Sequence, residues 1–290
     1  MDGRLLKTCT ALRRMCKRRT LLLGSVILLL VSTCTIFVPY ISTHDPLALN
    51  FADQLQPPSL KHLFGTDTYG RDVFSRVIYG ARISLMVGAV TALFTGVSGF
   101  VLGALAGYYR SFDNIIMRLM DALMALPAIL LAIAIMAVLG PSALNAVIAL
   151  SLVYLPRTAR IVRGSTLALR AEGYVEASRA VGARDLWIIR KHILPGCLAP
   201  LMVQQTVVFA YAILTEAALS FLGVGAPPPA PSWGNILSEA RELIRVAPWA
   251  SLFPGLAIVI TVIALNLIGD GLRDQLDPYL RGRMNESEGG

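Results

Sequence analysis

Long apolar runs separated by short polar connections dominate this chain. Six such runs stand out, at residues 21–41, 83–108, 122–139, 143–156, 198–222 and 250–268. An α-helix rises about 1.5 Å per residue, so about 20 apolar residues cross the hydrocarbon core of a bilayer. The pattern therefore predicts an all-α, polytopic membrane protein with six transmembrane helices.

The apolar runs also divide the chain into regions. These are a basic N-terminus (1–20), a first transmembrane helix (21–41), an extracytoplasmic connection (42–82), a five-helix core (83–276) that includes a polar loop (164–197), and a tail (277–290). The first run is long and lacks a small-x-small cleavage site, which favours an uncleaved span over a signal peptide. Lys and Arg concentrate in segments on the same side as the N-terminus, so the positive-inside rule predicts that both termini are cytoplasmic.

The connection 42–82 contains a second, shorter pattern. From Gly70, apolar residues recur at helical spacing opposite Arg71, Asp72 and Arg76, which predicts an amphipathic helix at the membrane surface before the second span. Asp72 and Arg76 are spaced to pair at i,i+4. Its aspartates have no interleaved His or Cys, so we predict no metal site.

Several residues inside the apolar runs carry further expectations. Gly99, Gly103 and Gly107 repeat every four residues, so another helix can approach closely along that stripe. Pro127 falls inside the third run, where a membrane helix can tolerate it. Trp233 and Trp249 fit an aromatic belt at the membrane interface.

Composition supports a membrane protein, with 55% hydrophobic and 15% charged residues. The net charge of +8 could suggest nucleic acid, but the cations lie beside the apolar runs, as topology signals do. No partner nucleic acid is therefore expected. The four cysteines have no paired or metal-type spacing and are expected to be plain thiols.

Catalytic chemistry is sparse in this sequence. No G-x-x-x-x-G-K-[ST] phosphate loop occurs, and His44, His62 and His192 all lie in polar segments. The chain is therefore not expected to be an enzyme or to hold a cofactor. Glu216 lies deep in the fifth run, where an ionised carboxylate is costly, so it should be neutral, water-facing or paired.

Two roles remain open for Glu216. We predict that it pairs with Arg71 or Arg82 near the outer end of the bundle and latches an outer gate. Substrate recognition is the alternative role for this buried carboxyl group.

A basic segment at residues 171–200 has a pattern that predicts two helices joined by a bend, with a residue that ends the second helix. Gly182 supplies the bend because it lacks a Cβ, and Pro195 should stop the second helix. Glu176-Ala177-Ser178, Gly182 and Leu194-Pro195 are spaced as in the "EAA" loop of bacterial ABC-transporter permease subunits, which this segment resembles. Ser178 replaces the third Ala of that motif, and His192 stands where the broad consensus has Ile.

Three other stretches are similar to the peptide and nickel branch of the same family. They are the GTDTYGRDVFSR segment before the second span, AILTEAALSFLGVGAPPPAPSWG around the fifth, and NLIGDGLRDQLDPYL at the end of the sixth. Together with the loop they cover about residues 60–280 in family order, so the resemblance is specific.

The resemblance implies the second permease subunit of a bacterial oligopeptide or dipeptide ABC importer, with a type I importer permease fold. It implies a multi-pass protein of the plasma membrane that moves peptides along a path shared with a sister permease. Two ATP-binding subunits would act through Glu176, Ala177, Ser178, Gly182, Leu194 and Pro195, and an extracytoplasmic binding protein would deliver substrate.

Three alternatives differ in substrate or class. A nickel importer permease shares the same motifs. A stand-alone six-span channel or carrier should show more buried ionisable residues than Glu216, and an intramembrane enzyme would need reactive side chains inside the spans.

Overall fold

A computed structural model describes the backbone of residues 2–276 and the side chains of residues 19–275. Its longer helices are α1 (Asp2–Ile36), α3 (Val73–Tyr108), α4 (Arg110–Met124), α5 (Ala128–Leu139), α6 (Ala143–Arg170), α9 (Leu194–Phe221) and α11 (Trp249–Leu276). Shorter ones are α2 (Val38–Ile41), α7 (Gly173–Ala180), α8 (Asp185–Ile188) and α10 (Trp233–Ala240). Within residues 2–276 there is no β-strand, so the all-α prediction is confirmed there.

Four segments are long and apolar enough to cross a membrane: Arg19–Ile36, Val73–Tyr108, Asp185–Phe221 and Trp249–Gln275. A fifth results if α4 and α5 together form one broken span. The apolar part of α6 is short because Arg157, Arg160 and Arg163 follow it within the same helix. Among residues 19–275, length and composition therefore support four or five spans.

The predicted third span, 122–139, is wrong as a single helix. The chain turns by 91° between α4 and α5. Pro127 lacks an amide proton and disfavours helical backbone in the residue before it, and it adopts an extended ψ of 135° at the start of α5. The polar turn expected before this span is instead the helix α4.

The amphipathic stretch before the second span is helical from Val73, as predicted, but it is not an element of its own. α3 runs without a break from Val73 to Tyr108 and so includes both the amphipathic stretch and the span. Asp72 begins it as the N-cap, because its side chain accepts a hydrogen bond of 2.8 Å from the Ser75 amide. The predicted Asp72–Arg76 pair is wrong too, since capping directs the Asp72 carboxylate away from Arg76.

The glycine stripe of α3 packs against α6, as the sequence predicted. A Cβ at Gly103 would lie 2.4 Å from the carbonyl oxygen of Ala159, and one at Gly99 would lie 2.6 Å from the Thr158 methyl group. Only a helix face without side chains allows the backbones to come so close. This contact fixes α6 along the C-terminal half of α3.

The two tryptophans differ in how they fit the aromatic-belt prediction. Trp233 is only 1% exposed, and its indole N–H donates to the Val77 carbonyl at 2.9 Å, so it belongs to the core between α3 and α10. Trp249 is partly buried and donates to the Thr66 carbonyl. Trp233 therefore does not fit the belt, whereas Trp249 is the first residue of the Trp249–Gln275 segment and its place in a belt stays a prediction.

Two sequence predictions fall on parts of the chain that the structure does not describe. The tail 277–290 lies outside the described backbone, and the side chains of Cys9 and Cys16 lie outside the described side chains. Cys34 and Cys197 are free thiols, as predicted.

Candidate functional site

The 171–200 segment folds as two short helices joined by a turn at Gly182. α7 ends at Ala180, and α8 begins at Asp185. Gly182 has φ +84°, a left-handed conformation that favours glycine, so the predicted bend is confirmed. A Cβ at this position would meet nothing within 4 Å, so the constraint comes from the backbone and not from packing.

Pro195 does not stop the second helix, contrary to the prediction. α8, a π-helical turn at Ile189–Ile193 and α9 form one continuous segment, Asp185–Phe221. The Leu194 amide bonds to the Ile189 carbonyl, five residues back. This wider π turn lets a residue without an amide proton enter the helix, so the loop is directly continuous with a membrane span.

Buried apolar side chains anchor this loop to the core. Val175, Ile188 and Ile193 are fully buried in a cluster that includes Tyr108 at the end of α3 and Val162 of α6. Such burial holds both short helices firmly against α3 and α6. A displacement of the loop would therefore move α3, α6 and α9 together.

Hydrogen bonds around Tyr108 reinforce the anchor. The Tyr108 hydroxyl donates to the Asp185 carboxylate at 2.7 Å, and the Arg170 guanidinium donates to the Tyr108 carbonyl at 2.8 Å. Arg179 lies over the Tyr108 ring, 5.1 Å from its centroid. Tyr108 thus joins α3 to α6, α7 and α8 at one point.

The opposite side of the loop is exposed. Glu176, Ala177, Gly182 and Pro195 are exposed, while Ser178 and Leu194 are half-buried. The Ser178 hydroxyl donates to the Tyr174 carbonyl at 2.7 Å and lies 3.3 Å from His192 Nε2. The structure therefore places the predicted coupling residues on one short loop but does not bring them into a common pocket.

Sequence reasoning missed the large apolar side chains on this exposed side. Val181 is 84% exposed, Leu186 77% and Trp187 50%. A group of large apolar side chains that stays exposed next to charged residues is typical of a surface that contacts a protein or a membrane. The available signal was the apolar L-W-I-I sequence, residues 186–189, inside an otherwise basic loop. We call Glu176, Ala177, Val181, Leu186 and Trp187 the loop face.

Glu216 forms the second candidate site, buried near the C-terminal end of α9 and beside the first third of α3. It is 1% exposed, and its two carboxyl oxygens accept from the hydroxyls of Ser84 at 2.9 Å and Ser220 at 2.8 Å. Ser84 Oγ also lies 3.3 Å from the Trp233 amide. These contacts tie α3, α9 and the start of α10 together.

The predicted pairing of Glu216 with Arg71 or Arg82 is wrong. Arg71 bonds to Asp67 through Nε at 2.7 Å and also to Glu239. Arg82 donates to the carbonyls of Thr35 and Ile36 at the end of α1. Both guanidinium groups are thus already paired with other acceptors, which for Arg82 are free carbonyls at the end of a helix. Serine hydroxyls provide the hydrogen bonds to Glu216.

The charges near Arg71 form a buried network of their own. Arg76, 2% exposed, contacts Asp67 at 2.6 Å and Glu239 at 2.7 Å, and Arg71 contacts the same two acids. Two cations and two anions thus connect the start of α3 to α10. Glu239 was not identified from the sequence, because nothing in its local pattern distinguishes it from an exposed helix residue.

Comparison with protein families gives two matches. The family described as "Binding-protein-dependent transport system inner membrane component" matches residues 99–282. The "N-terminal TM domain of oligopeptide transport permease C" matches residues 10–58. The first match includes the whole loop, and the second covers the first span and the beginning of the connection.

Individual relatives are similar over nearly their whole length. A candidate peptide transport system permease protein of Brucella suis is 54% identical over 93% of this chain and 91% of the relative. A dipeptide transport system permease protein of Alkalihalophilus pseudofirmus is 45% identical over 93% and 90%. A glutathione transport system permease protein of Pectobacterium atrosepticum is 43% identical over 93% and 90%.

Among solved structures, the chain is similar in fold to an inward-facing methionine ABC transporter, MetNI. The TM-score is 0.56 at 22% identity, over 70% of this chain and 96% of the matched chain. At that identity the similarity concerns the fold.

Proposed function

Because the chain belongs to the family of binding-protein-dependent transport system inner membrane components, we propose that it forms half of the translocation path of an ATP-driven peptide importer. It is an integral inner-membrane permease subunit, and its N-terminal match is to oligopeptide transport permease C. The names of the peptide and dipeptide relatives support a peptide substrate over nickel. The loop face is the observation that carries the proposal.

We propose that the loop face receives an ATP-binding subunit. Its large apolar side chains are exposed although the helices that carry them are anchored by fully buried residues. A rigidly attached apolar surface suits a partner that changes conformation. No flexible linker separates the loop face from α3, α6 and α9, so a movement of the bound partner would be transmitted to these helices. Glu176 and its neighbours would supply the polar rim, and Leu194 and Pro195 the junction to α9.

We further propose a topology of six spans with both termini in the cytoplasm. α6 would be the additional span, with Arg157, Arg160 and Arg163 at its cytoplasmic end, and α4 with α5 would form a broken span. The loop would then face the cytoplasm, and the connection 42–82 would lie outside. The partners would be a sister permease, two ATP-binding subunits and an extracytoplasmic binding protein, with no ATPase site in this chain.

We propose that Glu216 is part of a latch near the outer end and not a substrate ligand. A carboxyl group that is 1% exposed and bonded to Ser84 and Ser220 has no free surface to present to a peptide. It holds α3 against α9 at the end opposite the loop. Arg71 and Arg82 would serve the same end through Glu239 and the end of α1.

Gly182→Asp tests the proposed coupling. The complete importer is reconstituted in lipid vesicles, and dipeptide uptake and ATP hydrolysis are measured together. We expect the variant to insert normally but to lose at least about 10-fold in uptake per ATP, because strain and a new charge displace the loop face. Normal uptake by Gly182→Asp would refute the assignment.

Gly140→Asp is the matched control for backbone strain. Gly140 has φ +83° and open space where a Cβ would lie, as Gly182 does, but it belongs to the turn between α5 and α6. Uptake should be retained in this variant.

Parallel uptake assays with glutathione and Ni²⁺ identify the substrate class, and transport of Ni²⁺ without peptide would overturn the peptide assignment.

A further inference from the structure

Three potential metal ligands meet at the start of α3. His44 follows α2, His62 lies in the middle of the connection, and Asp72 is the N-cap of α3. One nitrogen of each ring and one carboxylate oxygen all lie within 4.8 Å of one another. The sequence predicted no metal site here because the histidines are not interleaved with the aspartates; the fold nevertheless brings them together.

The distances suit a small coordination sphere. His62 Nδ1 lies 2.9 Å and His44 Nδ1 3.9 Å from Asp72 Oδ1. A tetrahedral zinc ion with bonds of about 2.0–2.2 Å holds its ligand atoms roughly 3.3–3.6 Å apart. The two distances to Asp72 lie on either side of that range, whereas the two ring nitrogens lie within 4.8 Å of each other, so the exposed His44 ring would move by up to about 1 Å to complete the site.

Two of the three ligands are already fixed by the fold. His62 is 5% exposed and Asp72 2% exposed. The other Asp72 oxygen, Oδ2, accepts from the Ser75 amide at 2.8 Å, which leaves Oδ1 directed at His62. His44 is held nearby, because its backbone amide donates to the Ser75 hydroxyl at 3.1 Å. The exposed His44 ring, which now stacks on the His62 ring with centroids 4.8 Å apart, is the group that an ion would still have to reorient.

A buried ring nitrogen without a hydrogen-bond partner is a second sign that His44, His62 and Asp72 form a binding site. Nε2 of His62 is buried without a hydrogen-bond partner, although Asp53 Oδ2 lies 3.6 Å away. Buried polar atoms are almost always bonded in a complete structure, so an atom left unbonded calls for an explanation. Asp53 is itself positioned by Lys61 at 2.5 Å and by Asn50 at 2.7 Å.

We propose that His44, His62 and Asp72 bind one divalent transition-metal ion of the Zn²⁺ class. Imidazole nitrogens with a carboxylate oxygen suit zinc and nickel, whereas Mg²⁺ and Ca²⁺ prefer ligand sets made only of oxygen. Solvent would complete the fourth position at the exposed His44 side.

The proton balance explains the unbonded nitrogen. In neutral His62 the single ring proton on Nδ1 is donated to Asp72 Oδ1. When the metal bonds to Nδ1, that proton moves to Nε2, where Asp53 is the nearest acceptor. Ligating histidines typically donate their other N–H to a carboxylate in this way. If His62 enters as imidazolium, the second proton goes to solvent, so acid weakens binding.

The bound ion would fasten the connection to the membrane core. His44 lies just after the first span, and Asp72 begins α3, so the metal joins two helices through residues far apart in sequence. This role needs no assumption about the transported substrate.

Calorimetric titration of Zn²⁺ into the full-length chain tests the site. The protein is purified through a histidine-free tag and held in lipid nanodiscs, with Mg²⁺ as the comparison ion. We expect one zinc per chain and no saturable Mg²⁺ binding. His44→Gln and Asp72→Asn should each weaken zinc binding at least about 10-fold, since loss of even an outer partner costs about that much.

Controls separate the site from other effects. His192→Gln removes the remaining histidine and should leave zinc affinity unchanged. Asn is a good N-cap, so Asp72→Asn should keep α3, and His44 is exposed enough for His44→Gln to fold if the other variant does not. Absence of saturable zinc binding, or binding that survives His44→Gln, would overturn the proposal.

Discussion

The two ends of α3 are built in opposite ways. The helix has 36 residues, so its ends lie about 54 Å apart. At the N-terminal end, Asp67, Arg71, Arg76 and Glu239 form a network of ion pairs. At the C-terminal end, buried side chains hold the loop beside Tyr108 against α3 and α6, but the large apolar side chains of the loop face remain exposed.

This difference separates internal cohesion from partner binding. Charges that find their partners within one chain hold that chain together and are not available to pair with a second protein. Apolar side chains that remain exposed on a rigid support add little to the stability of their own chain and are available to bind a second protein. Substitutions in the charge network and in the helix–helix contacts should therefore cost stability, and substitutions on the loop face should cost assembly. Four variants test that contrast, in order of decreasing loss in the free energy of unfolding.

Arg76→Met should have the largest effect on stability. Removing the guanidinium leaves Asp67 and Glu239 sharing only Arg71, and breaking a buried ion pair costs about 3–5 kcal/mol. Because Arg71 remains, we expect a loss of about 3 kcal/mol in thermal unfolding in lipid nanodiscs. Arg160→Met, whose pair with Asp121 is exposed, should lose at most about 1 kcal/mol. Equal losses would remove the contrast.

Gly103→Ala should rank second, because it overfills the α3–α6 contact. The new methyl carbon would lie 2.4 Å from the Ala159 carbonyl oxygen, and overpacking of this kind costs about 1–3 kcal/mol. Gly164→Ala on α6 is the matched control, since its Cβ would meet nothing within 4 Å. That control should be neutral or slightly stabilising, because Ala favours a helix. A stable Gly103→Ala would show that the helices are not in close contact.

Glu216→Gln should cost less, about 0.5 kcal/mol, because an amide can accept from one serine hydroxyl and donate to the other. Glu216→Leu leaves the hydroxyls of Ser84 and Ser220 without an acceptor, which should cost about 1–3 kcal/mol. Thermal unfolding of both variants is the measurement. If Gln destabilised as much as Leu, the negative charge and not the hydrogen bonds would be essential.

Trp187→Ala should change stability least, by no more than about 0.5 kcal/mol, because the side chain is half exposed. It should nevertheless reduce co-purification of the ATP-binding subunit at least about 10-fold. Leu60→Ala, at the other end of α3 and 99% exposed, is the matched control and should leave co-purification intact. Equal recovery of the ATP-binding subunit with both variants would contradict the role of the loop face.

The fold was predictable from sequence where periodicity and small residues decide it. The glycine stripe correctly predicted close helix packing, and Gly182 correctly predicted the bend. Prolines were less predictable because their effect depends on the backbone around them. Pro127 breaks a helix by 91°, whereas Pro195 is absorbed by a π turn. Nothing local in the sequence distinguishes these two outcomes.

Side-chain partners were the least predictable feature. Glu216 was expected to need a cation, yet two hydroxyls on neighbouring turns and helices satisfy it. Arg71 and Arg76 instead pair with Glu239, more than 160 residues away along the chain. Such pairings depend on how α10 folds back onto α3, which no local pattern encodes.

Site-directed cross-linking tests the central claim most directly. In a chain whose four cysteines are replaced by serine, one new cysteine is placed at Ala177 on the loop face or at Leu60 at the opposite end. Each variant is assembled with its importer partners and treated with a short bifunctional thiol reagent. The account predicts that only Ala177→Cys is joined to an ATP-binding subunit. A cross-link from Leu60→Cys to that subunit, with none from Ala177→Cys, would contradict it.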